Sequence, residues 1–139
     1  MQQKKTTKEE YQKCVNVVVE YINQHLGEDI DLKSLARISN FSPFYFHRIM
    51  KAFLGEPIGT FIVRTRTEAA ARLLRYSDVP IADIAYRIGY SSPSSLSKVF
   101  KQFILIYNVP FSGVMVRIIT KFLITRREID FFVLNNVKN

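Results

Sequence analysis

The stretch IAYRIGYSSPSSLSKVFKQF, residues 84–103, is a second copy of LARISNFSPFYFHRIMKAF, residues 35–53. The pair Leu35-Ala36 returns 49 positions later as Ile84-Ala85. Four apolar positions return 50 positions later: Phe46/Leu96, Ile49/Val99, Met50/Phe100 and Phe53/Phe103. One extra residue therefore lies in the second copy, near residues 91–93. A repeat that carries the same apolar pattern twice predicts two copies of one supersecondary unit.

Turn signals inside each copy predict two helices separated by a tight turn. Residues 40–43 (NFSP) end one helix, and Ser42 as N-cap with a proline at the first helical position starts the next, over 43–54. In the second copy Gly89 ends a helix and another Ser-Pro pair starts the next, over 93–103. An alanine at a fixed place in the first helix lets the two helices approach closely. This is the helix-turn-helix pattern, whose second helix can enter a DNA major groove.

The rest of the chain up to residue 103 is also predicted to be helical. Apolar residues at helical spacing predict a helix over 8–26 that Gly27 ends, Asp31 can cap the next helix, and Pro57 opens a longer helix over 57–75. The expected fold is all-α, with two helix-turn-helix units joined by a long linker helix. The predicted divisions are 8–56 for the first helix-turn-helix unit, 57–76 for the linker helix, 77–117 for the second helix-turn-helix unit and 118–139 for a divergent apolar tail.

Positive charge is concentrated in the repeated region. The formal net charge is +8, and residues 32–103 hold eleven Lys or Arg against four Asp or Glu, which is +7. Such a basic domain suggests a polyanionic partner, either nucleic acid or an anionic membrane. A single cysteine, Cys14, fits a reducing cytosol, and the first residues lack the apolar stretch of a signal peptide. We expect a cytoplasmic protein with no membrane span.

Catalysis is not predicted. His25 and His47 have no cysteine partner at metal-ligand spacing and no Ser/Asp constellation nearby, and no glycine-rich loop could cradle a phosphate. We interpret His25 as a residue at the C-terminal end of a helix, facing its dipole, and Cys14 as inert packing. The sequence therefore predicts a protein that is not an enzyme and needs no cofactor or metal.

The repeated residues resemble the DNA-binding domain of AraC/XylS-type bacterial transcription regulators. The second copy follows the family signature I-A-x-x-x-G-[YF]-x-[SD]-x-S-x-[FL]-[ST]-[RK]-x-F-[RK], and the likeness covers about residues 10–103, including Arg66 and Ala70 in the linker helix. The sequences FHR, at residues 46–48, and GEP, at residues 55–57, resemble those of family members that carry this domain at the N-terminus. In those members a GyrI-like ligand-binding domain follows. No such second domain is expected in this chain.

The resemblance implies a function and a mode of binding. Double-stranded DNA would be the partner, and the two recognition helices would lie in adjacent major grooves, about 34 Å apart. A linker helix of about 18 residues would span ~27 Å, which is compatible with that spacing. Members of the family recruit or block RNA polymerase, and activation is their commoner behaviour.

The repeat also sorts each recognition helix into a core face and an outer face. Positions that are polar in both copies are expected to face away from the core and towards DNA. Arg48 is the best candidate base reader, because its planar fork matches guanine O6 and N7, and Arg66 is expected to be structural or phosphate-facing. The candidates for base contacts are Phe44, His47, Arg48, Ser94, Ser97 and Lys98. The candidates for phosphate contacts are Arg37, Ser42, Lys51, Arg87, Ser92 and Lys101.

The sequence departs from the family pattern after Phe103. The usual turn looks displaced by about three residues, to 107–110, and a closing helix could begin over 114–117. The apolar tail, 118–139, has three interpretations: it completes the bundle, it joins two protomers as a weak dimer, or the chain is a truncated regulator that lacks its ligand-binding domain. The rival class is a helical protein that binds a partner or a membrane surface through this tail and the basic face.

Overall fold

Six helices and no strand make up residues 2–107 of the computed structural model. The structure describes the backbone of residues 2–107 and the side chains of residues 7–103. The helices are α1 (Gln2–Gln24), α2 (Leu32–Ile38), α3 (Pro43–Leu54), α4 (Ile58–Tyr76), α5 (Ile81–Arg87) and α6 (Pro93–Tyr107). The all-α prediction is confirmed for this part of the chain.

Most predicted helix boundaries are confirmed by their capping groups. The Asp31 carboxylate accepts from the backbone N–H groups of Lys33 and Ser34, so it caps α2. Ser42 caps α3, Pro43 is the first helical residue, and Gly55 ends α3 with φ of 76°. The Ser92 hydroxyl accepts from the backbone N–H of Ser95 at 3.2 Å and starts α6 in the same way.

Three predicted helix ends are wrong: α1 begins at Gln2 and not at residue 8, and the C-terminal ends of α1 and α6 also differ. Helix α1 ends at Gln24, because the backbone N–H of His25 reaches the carbonyls of both Tyr21 and Ile22 and tightens the last turn. Gly27 lies three residues beyond that end and is not in the left-handed region, so it is not the terminator. Helix α6 continues past Phe103 to Tyr107, since no glycine or proline interrupts it before Pro110. The predicted closing helix over 114–117 and the tail over 118–139 lie outside the described residues.

The described chain divides into two compact bodies between Thr65 and Arg66, within α4. We call them the N-terminal body and the C-terminal body. The core of the N-terminal body comes from α1, α2, α3 and the first turns of α4, and consists of Val15, Val18, Ile22, Leu35, Ala36, Phe46, Met50, Ile58, Phe61 and Ile62. The core of the C-terminal body comes from α4, α5, α6 and the flanking turns, and consists of Ala70, Leu74, Ile81, Ile84, Ala85, Ile88, Leu96 and Phe100.

The repeated apolar positions face these cores as predicted. Leu35, Ala36, Phe46 and Met50 are buried, as are their counterparts in the second copy, while the remaining two pairs are half-buried. The structure adds a further equivalence between α1 and α4, whose ends, Gln24 and Tyr76, are 52 positions apart. The same interval relates three buried pairs: Val15/Thr67, Val18/Ala70 and Ile22/Leu74. Each copy is therefore a three-helix unit, one helix longer than the sequence pattern revealed.

The tight turn has the same construction in both copies. Asn40 has φ of 60° and its counterpart Gly89 has φ of 91°, so both occupy the left-handed region. The next residue returns its backbone N–H to the alanine carbonyl of the preceding helix, from Phe41 to Ala36 at 3.2 Å and from Tyr90 to Ala85 at 2.8 Å. These bonds set the angle at which each second helix leaves the turn.

A matched pair of glycine substitutions separates backbone strain from packing. A methyl group at Gly55 or Gly59 meets no atom within 4 Å, so neither substitution causes a clash. Gly55 is in the left-handed region, where alanine costs about 1–2 kcal/mol, whereas Gly59 lies in α4, where alanine gains about 0.5 kcal/mol. Urea denaturation should show that Gly55→Ala destabilises the protein and Gly59→Ala does not. Equal effects of the two substitutions would contradict this account.

Candidate nucleic-acid interface

The outer face of α3 carries an exposed cluster of aromatic and basic side chains. Phe44 is 67% exposed, and His47, Arg48 and Lys51 are exposed as well, as the repeat predicts. These four residues share one side of the helix, which we call the α3 reading face. Phe44 is not part of the core of this body, whereas Phe46, two residues later, is fully buried in it.

Arg48 and Phe44 are in contact on this face. The Arg48 guanidinium carbon lies 5.6 Å from the centroid of the Phe44 ring, within the range of a cation–π interaction. The two residues are four apart in α3, so the contact restricts the arginine without involving any other element. A restricted, exposed guanidinium loses less entropy when it binds than a free one does.

The corresponding face of α6 offers less to a partner. Lys98 is exposed as predicted, but Ser94, Ser97 and Lys101 are half-buried. Of the three α6 positions that are polar in both copies, Lys98 is exposed, as is its counterpart on α3, whereas Ser97 and Lys101 are less exposed than His47 and Lys51. Serine hydroxyls on short side chains also reach less far than the arginine and phenylalanine of α3 do.

The phosphate candidates fall into two groups. Arg37, Lys51 and Arg87 are exposed, whereas the two serines act in helix capping. The Ser92 hydroxyl also pairs with the Ser95 hydroxyl at 3.1 Å. Arg37 and Arg87 are not equivalent in the repeat, because the interval of 49 pairs Arg37 with Tyr86. The two arginines therefore occupy different places in their units.

Two exposed tyrosines were missed by the sequence interpretation. Tyr45 is 59% exposed on α3 next to the reading face, and Tyr86 is equally exposed on α5. The signal for Tyr45 was present, because it follows Phe44 directly and takes the place of Ser95 in the repeat. Both were passed over because neither position is basic or polar in both copies.

Acidic residues border one side of the α3 reading face. An open groove of about 610 Å³ is lined by Asp29, Ile30, Asp31, Leu32, Lys33, Pro43 and His47. The Asp31 carboxylate has a lowered pKa, because the backbone N–H of Lys33 and the Ser34 hydroxyl donate to it. The His47 side of α3 therefore faces negative charge at neutral pH.

Tyr90 fixes the turn that precedes α6. Its ring packs against the core of the C-terminal body, and the Arg66 guanidinium carbon lies 6.0 Å from the ring centroid. Burial raises the pKa of the Tyr90 phenol, while the Arg66 charge and the nearby Thr67 hydroxyl oppose the shift. Among the described residues no group meets hydrogen-bond geometry with the buried phenolic oxygen. Arg66 thus has a structural contact, one of the two roles predicted for it.

Comparison with known proteins identifies this arrangement. A model described as a helix-turn-helix domain matches residues 35–106, more than half of the chain. The regulatory protein SoxS of Salmonella typhimurium is 29% identical over 92 residues, which are 66% of this chain and 86% of SoxS. The DNA-binding domain of AdpA, solved in complex with a target DNA, has a TM-score of 0.62 and 27% identity over 74% of this chain and 88% of that one. The chain belongs to the AraC-type helix-turn-helix family of regulators.

Relatives in the AraC-type family differ in how much of their length this chain spans. The uncharacterised regulator YbfP of Bacillus subtilis is 33% identical over 100 residues, which are 72% of this chain but 33% of YbfP. The chain therefore spans about a third of YbfP and most of SoxS. The predicted likeness to members with a following GyrI-like domain stays a prediction.

The described part of this AraC-type chain contains neither a membrane-spanning helix nor a metal-binding cluster. No helix there is long and apolar enough to cross a membrane. Within the same residues no group of three or more His, Cys, Asp or Glu side chains is placed to hold a metal ion. His25 contacts the Tyr21 carbonyl through Nδ1 at 2.7 Å and stacks on the Tyr21 ring, so its role beyond the end of α1 is local.

Alkaline pH should test the burial of Tyr90. A raised pKa in the folded state means that the unfolded chain ionises first, so the neutral phenol contributes stability below about pH 10 that is lost as the pH rises. Between pH 8 and pH 11, chemical denaturation should therefore show the free energy of unfolding falling more in the parent than in Tyr90→Phe. Tyr86→Phe, at an exposed site, is the control and should follow the parent. Parallel curves for the parent and Tyr90→Phe would contradict the assignment.

Proposed function

We propose that this chain is a sequence-specific DNA-binding transcription regulator that docks α3 and α6 into adjacent major grooves of one asymmetric site. The observation that carries the proposal is the α3 reading face, where Phe44 and Arg48 stand exposed and in contact on a helix whose opposite side is buried. The DNA-bound domain of AdpA, a structural neighbour, supports duplex DNA as the partner. The presence of one helix-turn-helix unit in each body supports two separate reading helices, α3 and α6.

The two reading helices are proposed to contribute unequally. In α3, Arg48 reads guanine through its paired N–H groups, Phe44 contacts thymine methyl groups, and His47 contacts a base edge. In α6, Lys98 contacts a base less specifically, and Ser94 and Ser97 reach little because they are short and half-buried. The half-site under α3 should therefore be the more strongly specified of the two.

Phosphate contacts are proposed to hold both helices in place. The exposed cations Arg37, Lys51 and Arg87, with the half-buried Lys101, would neutralise phosphates, and Ser42 and Ser92 would bring hydroxyls and helix N-termini to the same backbone. Activation through RNA polymerase, a cytoplasmic location and a monomer or weak dimer stay predictions. The tail proposed to form that dimer lies outside the described residues.

A salt titration tests the proposed function as a whole. Four cationic phosphate contacts predict that log K for duplex DNA falls with log salt at a slope of about −3 to −4. Fluorescence anisotropy with a labelled duplex of a selected sequence would give the slope. Binding that is absent, or flat with salt, would contradict the proposal and favour the rival partner-binding protein.

Substituting Arg48 tests the assignment of base readout. Arg48→Ala should weaken binding to the selected site by about 1–3 kcal/mol and relax the preference at one base pair. Selection of bound duplexes from a random pool, carried out for the parent and the variant, measures both effects. Lys98→Ala, at the matched position of α6, should weaken binding more evenly across sequences. An unchanged selected motif for Arg48→Ala would refute the role of Arg48.

A further inference from the structure

Tyr45 is an ordered, exposed aromatic residue to which the proposed function gives no role. Its ring meets the Phe44 ring edge to face, with centroids 5.8 Å apart and planes at 76°. Its backbone N–H approaches the Ser42 hydroxyl at 3.5 Å within the cap of α3. Tyr45 thus lies in the first turn of α3, and more than half of its surface stays accessible.

The position of Tyr45 on α3 is at the rim of the reading face. Tyr45 precedes Arg48 by three residues and Ile49 by four, so it neighbours both on the helix surface. Arg48 belongs to the reading face, whereas Ile49 is half-buried against the core. Tyr45 therefore lies where the reading face gives way to the core side.

The dimensions of the major groove place such a rim against the DNA backbone. An α-helix with its side chains is about 10–12 Å across, and the groove is about 12 Å wide. A helix that fills the groove turns its two rims towards the two sugar-phosphate walls. The opposite rim carries His47 beside a groove lined by the Asp29 and Asp31 carboxylates and the single cation Lys33, so this side is less attractive to phosphate. The Tyr45 rim is thus the better placed to approach a wall closely.

We infer that the Tyr45 hydroxyl donates a hydrogen bond to a DNA phosphate oxygen beside the Arg48 contact. This inference rests on the proposed function and adds to it a neutral backbone contact on α3. Such a contact holds the helix in its groove without reading sequence, so its loss would weaken binding to every duplex site by a similar factor. It involves no change in charge and releases no counterion.

The second copy lacks this contact. The counterpart of Tyr45 is Ser95, which is half-buried and has its hydroxyl 3.1 Å from that of Ser92. A serine side chain in that place is too short to extend to the groove wall as a tyrosine does. The additional contact with the DNA backbone is therefore made by α3, the helix that also carries the stronger candidates for base contacts.

The test compares Tyr45→Phe with the parent chain on duplex DNA, because this change removes only the hydroxyl. Anisotropy titrations should show binding weakened about tenfold to a hundredfold, the loss expected for one hydrogen bond to a charged group. The factor should be the same on the selected site and on point variants of it, and the salt slope should not change. Lys51→Gln, in contrast, should reduce the slope by about 0.9. Tyr76→Phe, at an exposed tyrosine in the last turn of α4, should bind as the parent does.

A chemically modified duplex locates the contact. A methylphosphonate of defined stereochemistry replaces one of the two non-bridging oxygens of a single phosphate by a methyl group. In the diastereomer that lacks the contacted oxygen, Tyr45→Phe should cause no further loss. Parent-like binding by Tyr45→Phe, or a changed base preference, would overturn the inference while the parent's salt-dependent binding still supported the proposed function. If the parent failed to bind any duplex, both would fall.

Discussion

The turn between the two short helices of each copy is the constraint on which the rest of the structure depends. One residue must adopt the left-handed conformation, and asparagine and glycine are the residues that do so at least cost, as Asn40 and Gly89 do here. The following N–H then closes on the alanine carbonyl. Alanine at that point keeps the two helices close, and the helix after the turn is aimed away from the core along one side. A bulky residue in the turn or at the alanine would redirect the helix that presents the proposed base contacts.

In each unit, the aromatic residue that follows the left-handed position packs against the first helix of that unit, α1 or α4. In the N-terminal body Phe41 meets Tyr11 of α1 edge to face, with centroids 5.3 Å apart. In the C-terminal body Tyr90 packs beside Arg66 of α4. Helices α1 and α4 thus serve the same purpose, and this explains why their buried positions correspond. The repeated structural unit therefore has three helices. Its first helix, α1 or α4, occupies the same place in both units although the two sequences are not alike.

The sequence predicted the fold correctly at positions where a residue type is compatible with only one local structure. The Ser-Pro starts, the tight turn and the paired core positions of α3 and α6 could all be predicted, because few alternatives satisfy each. The correspondence of α1 and α4 could not, since its interval of 52 differs from 49 and 50, and Val15 is matched by the polar Thr67. The half-burial of Ser97 and Lys101 also depends on tertiary packing that a polarity pattern does not encode. The repeat pattern did not single out Tyr45, because its counterpart in the second copy is a serine. The repeat itself predicts a DNA-facing position only where both copies are polar.

The difference between the two copies lies in side chains that contribute nothing to the cores. Phe44 and Tyr45 expose aromatic surface to water, although Phe46 and Met50 already fill the core beneath them. The same places in the second copy hold Ser94 and Ser95, and the core formed by Leu96 and Phe100 is equally complete. Folding therefore cannot explain the aromatic pair, whereas contact with a partner can, because burial on binding recovers the apolar surface left exposed. The difference between the two reading faces then implies an asymmetric DNA site. The half-site under α3 is bound and specified more strongly than the half-site under α6.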